Sequence, residues 1–205
     1  MPSWANTRAV TPRGTPAKEY EMGVIPNMRK SFHPGKFVAT FAMGSRKLYD
    51  WLDDNVAVDF QRGRWVNAPH VISQNSRMIS INNCISVDLT GQVASESIGS
   101  NQYSGTGGQA DTAQGAVDAT DGLGKSIIAC YSTAKSGTVS TIVPMLAEGS
   151  AVTLHRSNVD RVVTEHGVAC LRGKTVRERA QELINIAHPD FRADLTAQAR
   201  ALKYL

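Results

Sequence analysis

Between residues 78 and 133 the chain passes through an order of patterns that few folds satisfy. "MISINNCISVDL" alternates and is rich in β-branched side chains, so it reads as one or two strands. "YSGTGGQAD", residues 103–111, then brings three glycines and few bulky side chains. Glycine loses more backbone entropy on ordering than any other residue, so such a run belongs in a tight turn or where something approaches the backbone. "QADTAQGAVDA" is helix-like, and "KSIIACYST" is an apolar run read as a buried strand. Strands alternating with helices predict an α/β layered fold, a largely parallel sheet flanked by helices.

The flanks agree. "KFVATFAMG" reads as one buried strand ending at Gly44, followed by a helix with Ser45 as N-cap and Leu48, Trp51 and Leu52 at helical spacing. "STIVPML" and "AVTLHR" read as short strands, and "DRVVTEHG" as a strand running into a turn. In "TVRERAQELINIA", Thr175 and Glu178 form a capping box, and Val176, Ala180, Leu183, Ile184 and Ala187 make an apolar stripe. Pro189 ends that helix, and a last helix is expected from about Asp190 to Leu202. Residues 1–21, with three prolines and several small polar residues, are expected to be a poorly ordered lead-in to one domain over 22–205.

Composition removes several function classes. The net charge is +4, with basic residues scattered among acids from Arg8 to Lys203. That suits an anionic small ligand and predicts no nucleic-acid partner. Cys84, Cys130 and Cys170 are far apart and form no C-x-x-C. They argue for a reducing cytoplasm and against a disulfide framework or zinc site, each reading as a buried small hydrophobe. The five histidines show no ligand spacing, so no metal is expected. No run of 18 apolar residues exists, so no membrane span is expected, and the N-terminus has no apolar signal region.

Backbone N–H groups in a glycine-rich turn form an anion-binding concavity, and a helix starting after Gly108 would add to it. The dinucleotide fingerprint fails because its sixth position is Ala110, and the P-loop fails because no lysine follows. An oxyanion hole for a thioester or ester carbonyl remains compatible, as does a plain tight turn.

Five long segments carry a resemblance: "HPGKFVATFAMGSRKLYDWLDDN", "SINNCISVDLTGQV", "SIGSNQYSGTGGQAD", "STAKSGTVSTIVPML" and "VTEHGVACLRGKTVRERAQELINIAHPDFR". Together, from about Met22 to Leu195, they resemble the C-terminal half of the acetyl-CoA hydrolase and CoA-transferase family, nearest its 4-hydroxybutyrate and butyryl-CoA transferases. The resemblance implies a NagB/RpiA-like CoA-transferase domain whose N-terminal companion is not in this chain. It also implies coenzyme A, as an acyl-CoA substrate, with a small carboxylate as acceptor. A glutamate attacks the thioester, and CoA passes through a glutamyl-CoA thioester to the acceptor.

On this resemblance Gly107 and Gly108 lie against the thioester and hold its oxyanion, with Asn82 beside them. Gln109 lines the acyl pocket, and Lys135 meets CoA, where a lysine suits a phosphate as a point charge. Glu165 reads as satisfying backbone near its turn, and His188 as a cation at a helix C-terminus. The family's glutamate falls thirteen residues before Gly23, at Val10, so no nucleophile is named; Glu19 and Glu21 are nearby. Asp111-Thr112 stands where the family has Asp-Phe, and Cys130-Tyr131 where it has Leu-Pro. Two other readings stay open, an acetyl-CoA hydrolase and a truncated CoA-binding remnant. A separate N-terminal half or a homo-oligomer is the expected macromolecular partner.

Overall fold

The computed structural model describes residues 9–10, 18 and 20–205. Most of the expected lead-in, Glu19 included, lies outside the described residues. The chain forms two compact units. One holds the residues up to Ser80 together with Gln114–Gly124, and the other holds Ile81–Ala113 and Lys125–Leu205.

In the first unit, β1 (Ala9–Val10) pairs in parallel with β3 (Phe41–Ala42), and β2 (Phe37–Ala39) with β4 (Val58–Phe60). The single strand expected over "KFVATFAMG" is therefore two. Phe37, Val38 and Ala39 are all buried, whereas Phe41 is half exposed, so the chain changes partner at Thr40. Helix α1 (Arg46–Leu52) follows, with α2 (Gly63–Val66) and α3 (Pro69–Ile72). Ser45 stands at the N-cap of α1 without a side-chain cap bond, and Leu48 is buried as the spacing requires. Tyr20, Phe37 and Trp51 meet edge to face, with centroids 5.6–5.9 Å apart. Ile72, Met78, Ala116 and Ala119 form a small separate core. Gly115 permits it, because a Cβ there would stand 2.6 Å from the Ile72 side chain.

The second unit holds the larger core. Its four-stranded sheet has the order β15 (Gly167–Cys170), β14 (Arg161–Thr164), β10 (Lys125–Ala129), β5 (Ile79–Asn82), and the last two residues of β5 belong to this unit. β10 and β14 are parallel; β14 and β15 form an antiparallel hairpin. A three-stranded sheet runs β13 (Ile142–Val143), β6 (Ser86–Asp88), β7 (Val93–Ala94), with β13 and β6 parallel. The strand expected over "AVTLHR" reduces to one bridge, Leu154 with Val93. Two hairpins complete the unit, β8–β9 (Ser97–Ile98, Asn101–Gln102) and β11–β12 (Thr133–Ala134, Val139–Ser140).

Helix α5 (Val176–Ile186) has the full capping box and buries Ala180, Leu183, Ile184 and Ile186. The buried set includes Leu89, Ile128, Ile142, Leu154, Leu171 and Leu183. Each such side chain contributes roughly 1.5–3 kcal/mol. Pro189 opens rather than merely precedes the last helix, α6 (Pro189–Ala201), since proline's missing N–H costs nothing at the first helical position. Helix α4 (Gln109–Val117) begins in the second unit and ends in the first.

Candidate functional site

The glycine run turns directly into α4. Gly107 has φ +60°, in the left-handed region that favours glycine. Gly108 is buried, and its carbonyl accepts from the Thr112 N–H at 3.0 Å, the first bond of the helix. The N–H groups of the first turn have no intrahelical acceptor, and they carry the positive end of the helix dipole.

Asn82 ends β5 against this turn. Its Nδ2 donates to Thr112 Oγ1 at 3.2 Å, and that hydroxyl donates to the Gln109 carbonyl at 3.1 Å. One hydrogen-bonded chain thus joins Asn82, Gln109 and the first helical turn after Gly108. Thr112 makes both links through its hydroxyl, a connection that an apolar side chain at this position could not make. Gln109 is only 7% exposed, and its Nε2 is buried without a hydrogen-bond partner. Buried polar groups are nearly always satisfied, and an orphan amide beside a helix N-terminus is a ready donor to a ligand oxygen.

Lys135 is not brought into this set by any described contact. It stands exposed on the turn of the β11–β12 hairpin, where Lys135, Ser136 and Gly137 all have positive φ. The base of that hairpin is fixed by Glu165. Its carboxylate accepts from the Ser132 N–H at 2.9 Å and the Ser132 hydroxyl at 2.5 Å. The Ser132 hydroxyl bond, chiefly, holds the Glu165 carboxyl below the usual glutamate range. Glu165 therefore satisfies backbone at a turn.

Other residues depart from expectation. His188 follows the C-cap of α5, Ala187, and is also the N-cap of α6, where its Nδ1 accepts from the Asp190 N–H at 3.4 Å. The reason is the immediate restart of the helix at Pro189. The three cysteines are half-buried, not sealed. The Cys84 thiol is hydrogen-bonded to Cys130, and that bond together with burial pushes it well above the usual thiol range. Val10 sits in β1 beside Ala42 and has no nucleophilic group; Glu21 is exposed. Among the described residues, no group of three or more His, Cys, Asp or Glu could hold a metal, and no helix is long and apolar enough to cross a membrane.

Two features went unread in the sequence. In the second unit Glu96, only 7% exposed, accepts a hydrogen bond from Thr106 beside the glycines. In the first unit Lys30 lines a small cavity with Phe32, Val38, Trp65 and Asn75, and burial lowers its ammonium to about 8 against the pull of Asp59. Neither has a local sequence signature, because each partner set is assembled from distant segments.

Residues 44–199 match the acetyl-CoA hydrolase/transferase C-terminal domain. The 4-hydroxybutyrate coenzyme A transferase of Clostridium kluyveri is 56% identical over 173 residues, covering 84% of this chain and 40% of that protein. The succinyl-CoA:cyclohexane-1-carboxylate CoA transferase of Geobacter metallireducens is 52% identical, covering 88% of this chain and 41% of that protein. The crystal structure of RipA from Yersinia pestis superposes with a TM-score of 0.86 at 41% identity, over 92% of this chain and 42% of that one. The chain thus spans about two fifths of the length of these relatives. With residues 44–199 matched, most of its length, the chain belongs to the acetyl-CoA hydrolase/transferase family and carries that family's C-terminal domain.

Proposed function

We propose that this chain is the C-terminal part of an acyl-CoA:carboxylate CoA-transferase, with Asn82, Gly107, Gly108 and Gln109 facing the thioester. The observation that carries the reading is the unpaired Gln109 amide at the start of α4, joined to Asn82 through Thr112. The related 4-hydroxybutyrate coenzyme A transferase and succinyl-CoA:cyclohexane-1-carboxylate CoA transferase support it.

In this reading the first-turn N–H groups hold the oxyanion that forms when the thioester carbonyl is attacked. Donors fixed in advance need no reorganisation as charge develops, and loss of one typically costs about 100 to 1000-fold in rate. Gln109 Nε2 donates to an oxygen of the acyl group or of the incoming carboxylate. Lys135, on its exposed turn, meets a phosphate of CoA. The proposal assigns the glutamate nucleophile to no residue of this chain. A further polypeptide, or a second copy, supplies the rest of the site. The exposure of Met22, Val24, Met28, Phe41 and Met43 supports such a partner. A cytoplasmic location belongs to the same proposal.

The test is to incubate the purified chain with butyryl-CoA and isotope-labelled acetate, while titrating butyryl-CoA binding. Binding that Asn82→Ala and Gln109→Leu weaken supports the site, and labelled acetyl-CoA shows transfer by the chain alone. Free CoA released without acetate would indicate hydrolysis instead. No binding of butyryl-CoA or CoA would overturn the reading.

A further inference from the structure

We propose that Glu96 is a positioning residue, whose buried carboxylate holds the glycine turn in the shape that presents Gly107, Gly108 and Gln109. The inference rests on reading that turn as the thioester site, but its structural half can be tested without that reading.

Glu96 closes a loop on itself. Its own carbonyl accepts from the N–H groups of Tyr103 at 2.7 Å and Ser104 at 3.3 Å. Its Oε1 accepts from Thr106 Oγ1 at 3.2 Å and Gln102 Nε2 at 3.4 Å, and its Oε2 from Thr153 Oγ1 at 3.1 Å. Main chain and side chain of one residue therefore grip the segment at 102–106, one position short of Gly107. The Thr153 hydroxyl is fixed in turn, because it accepts from the Ser95 N–H at 2.9 Å. The excursion between Glu96 and Thr106 is tied to the same neighbouring segment twice more. Gly99 N–H donates to Ser150 Oγ and Ala151 N–H to Ser97 Oγ, each at 2.8 Å.

The choice of a carboxylate is informative. Among the described residues no cation forms an ion pair with Glu96, so its charge is met by hydroxyl and amide donors alone. Burying such a group is costly unless its lone pairs are satisfied. In return it offers acceptors only, which suits three donors that converge from two segments, 102–106 and Thr153. A glutamine would present an amide to one of them. Both oxygens are already engaged, so Glu96 is poorly placed to attack a thioester and is well placed to stiffen what does bind it. Three glycines leave residues 105–108 with much conformational freedom, and an external clamp at Thr106 removes part of it.

The test compares the full chain with Glu96→Gln and Thr106→Val by amide hydrogen exchange and by butyryl-CoA titration. Thr106→Val cuts the single side-chain link between the carboxylate and the turn while leaving Glu96 in place. The expected result is exchange at 103–111 at least tenfold faster in both variants, unchanged exchange in β10 and β14, and about tenfold weaker butyryl-CoA binding. Unchanged exchange at 103–111 would overturn the proposal. So would acceleration spread evenly over the second unit, which would mark Glu96 as a general stabiliser. A CoA adduct on the Glu96 peptide would overturn it too, because Glu96 would then be a nucleophile. Failure of the wild-type chain to bind butyryl-CoA would sink the functional reading alone, and the exchange data would still decide the clamp.

Discussion

Two loops of the second unit are each held by one glutamate, in opposite ways. Glu96 is buried and takes hydrogen bonds from Thr106, Gln102 and Thr153. Glu165 has its side chain 39% exposed and takes both its bonds from one residue, Ser132. The first fixes a turn that continues into a helix; the second fixes only the base of a hairpin whose tip, with Lys135, stays free in solvent. A buried clamp with several partners suits a place where backbone donors must not move as charge develops. An exposed clamp at the base leaves the tip free to move, as the proposed contact of Lys135 with a phosphate of CoA requires.

The contrast can be broken in four ways, in falling order of effect. Glu96→Ala leaves the Thr153 donor buried and loosens two more. Unfolding in urea is expected to show a loss of about 2–3 kcal/mol, set by the cost of unsatisfied polar groups. A loss no larger than that of a surface substitution would make the two clamps equivalent. Ser132→Ala removes the hydroxyl bond to Glu165, and since part of that bond faces water the expected loss is about 1 kcal/mol.

The same variant sharpens the comparison through pH. The Glu165 carboxyl is lowered in the folded state, so its stabilisation is present above the ordinary glutamate range and is lost as pH falls through the folded value. Ser132→Ala is therefore expected to flatten the acid limb of the stability curve, as read by thermal unfolding across acidic pH; an unchanged limb would remove Glu165 from the account. Asn82→Ala cuts the Thr112 link, with an expected loss of about 0.5–1.5 kcal/mol in urea unfolding and faster exchange confined to the start of α4. Lys135→Ala should leave stability within about 0.5 kcal/mol, as for most surface changes. It should weaken CoA binding a few-fold at low salt and less at high salt, because an exposed charge is screened.

Much of the fold could be read from periodicity and caps. Thr175 and Glu178 announced α5 by a pattern local to four residues, and the structure has both bonds of the box. Gln109 began a helix where the glycines ended, as expected. The errors came where neighbours outside the segment decide. Thr40 ends one strand because β2 and β3 find different partners, and "AVTLHR" lacks a partner strand beyond one bridge. His188 also caps α6, because Pro189 starts a new helix at once.

The site divides along the same line. The glycines, Asn82 and Gln109 of the proposed site could be named from the chain alone, because turn chemistry and the family resemblance are properties of contiguous residues. That Thr112 would connect Asn82 to Gln109, and that Glu96 would grip Thr106 and Thr153, depended on residues 30 and 57 positions apart meeting in space. Sequence by itself determined which backbone could turn, which helices would start and stop, and which family the chain joins. Tertiary structure alone decided which polar groups are sealed from water and which donors they meet, because burial and hydrogen bonding are set by the packing of distant segments.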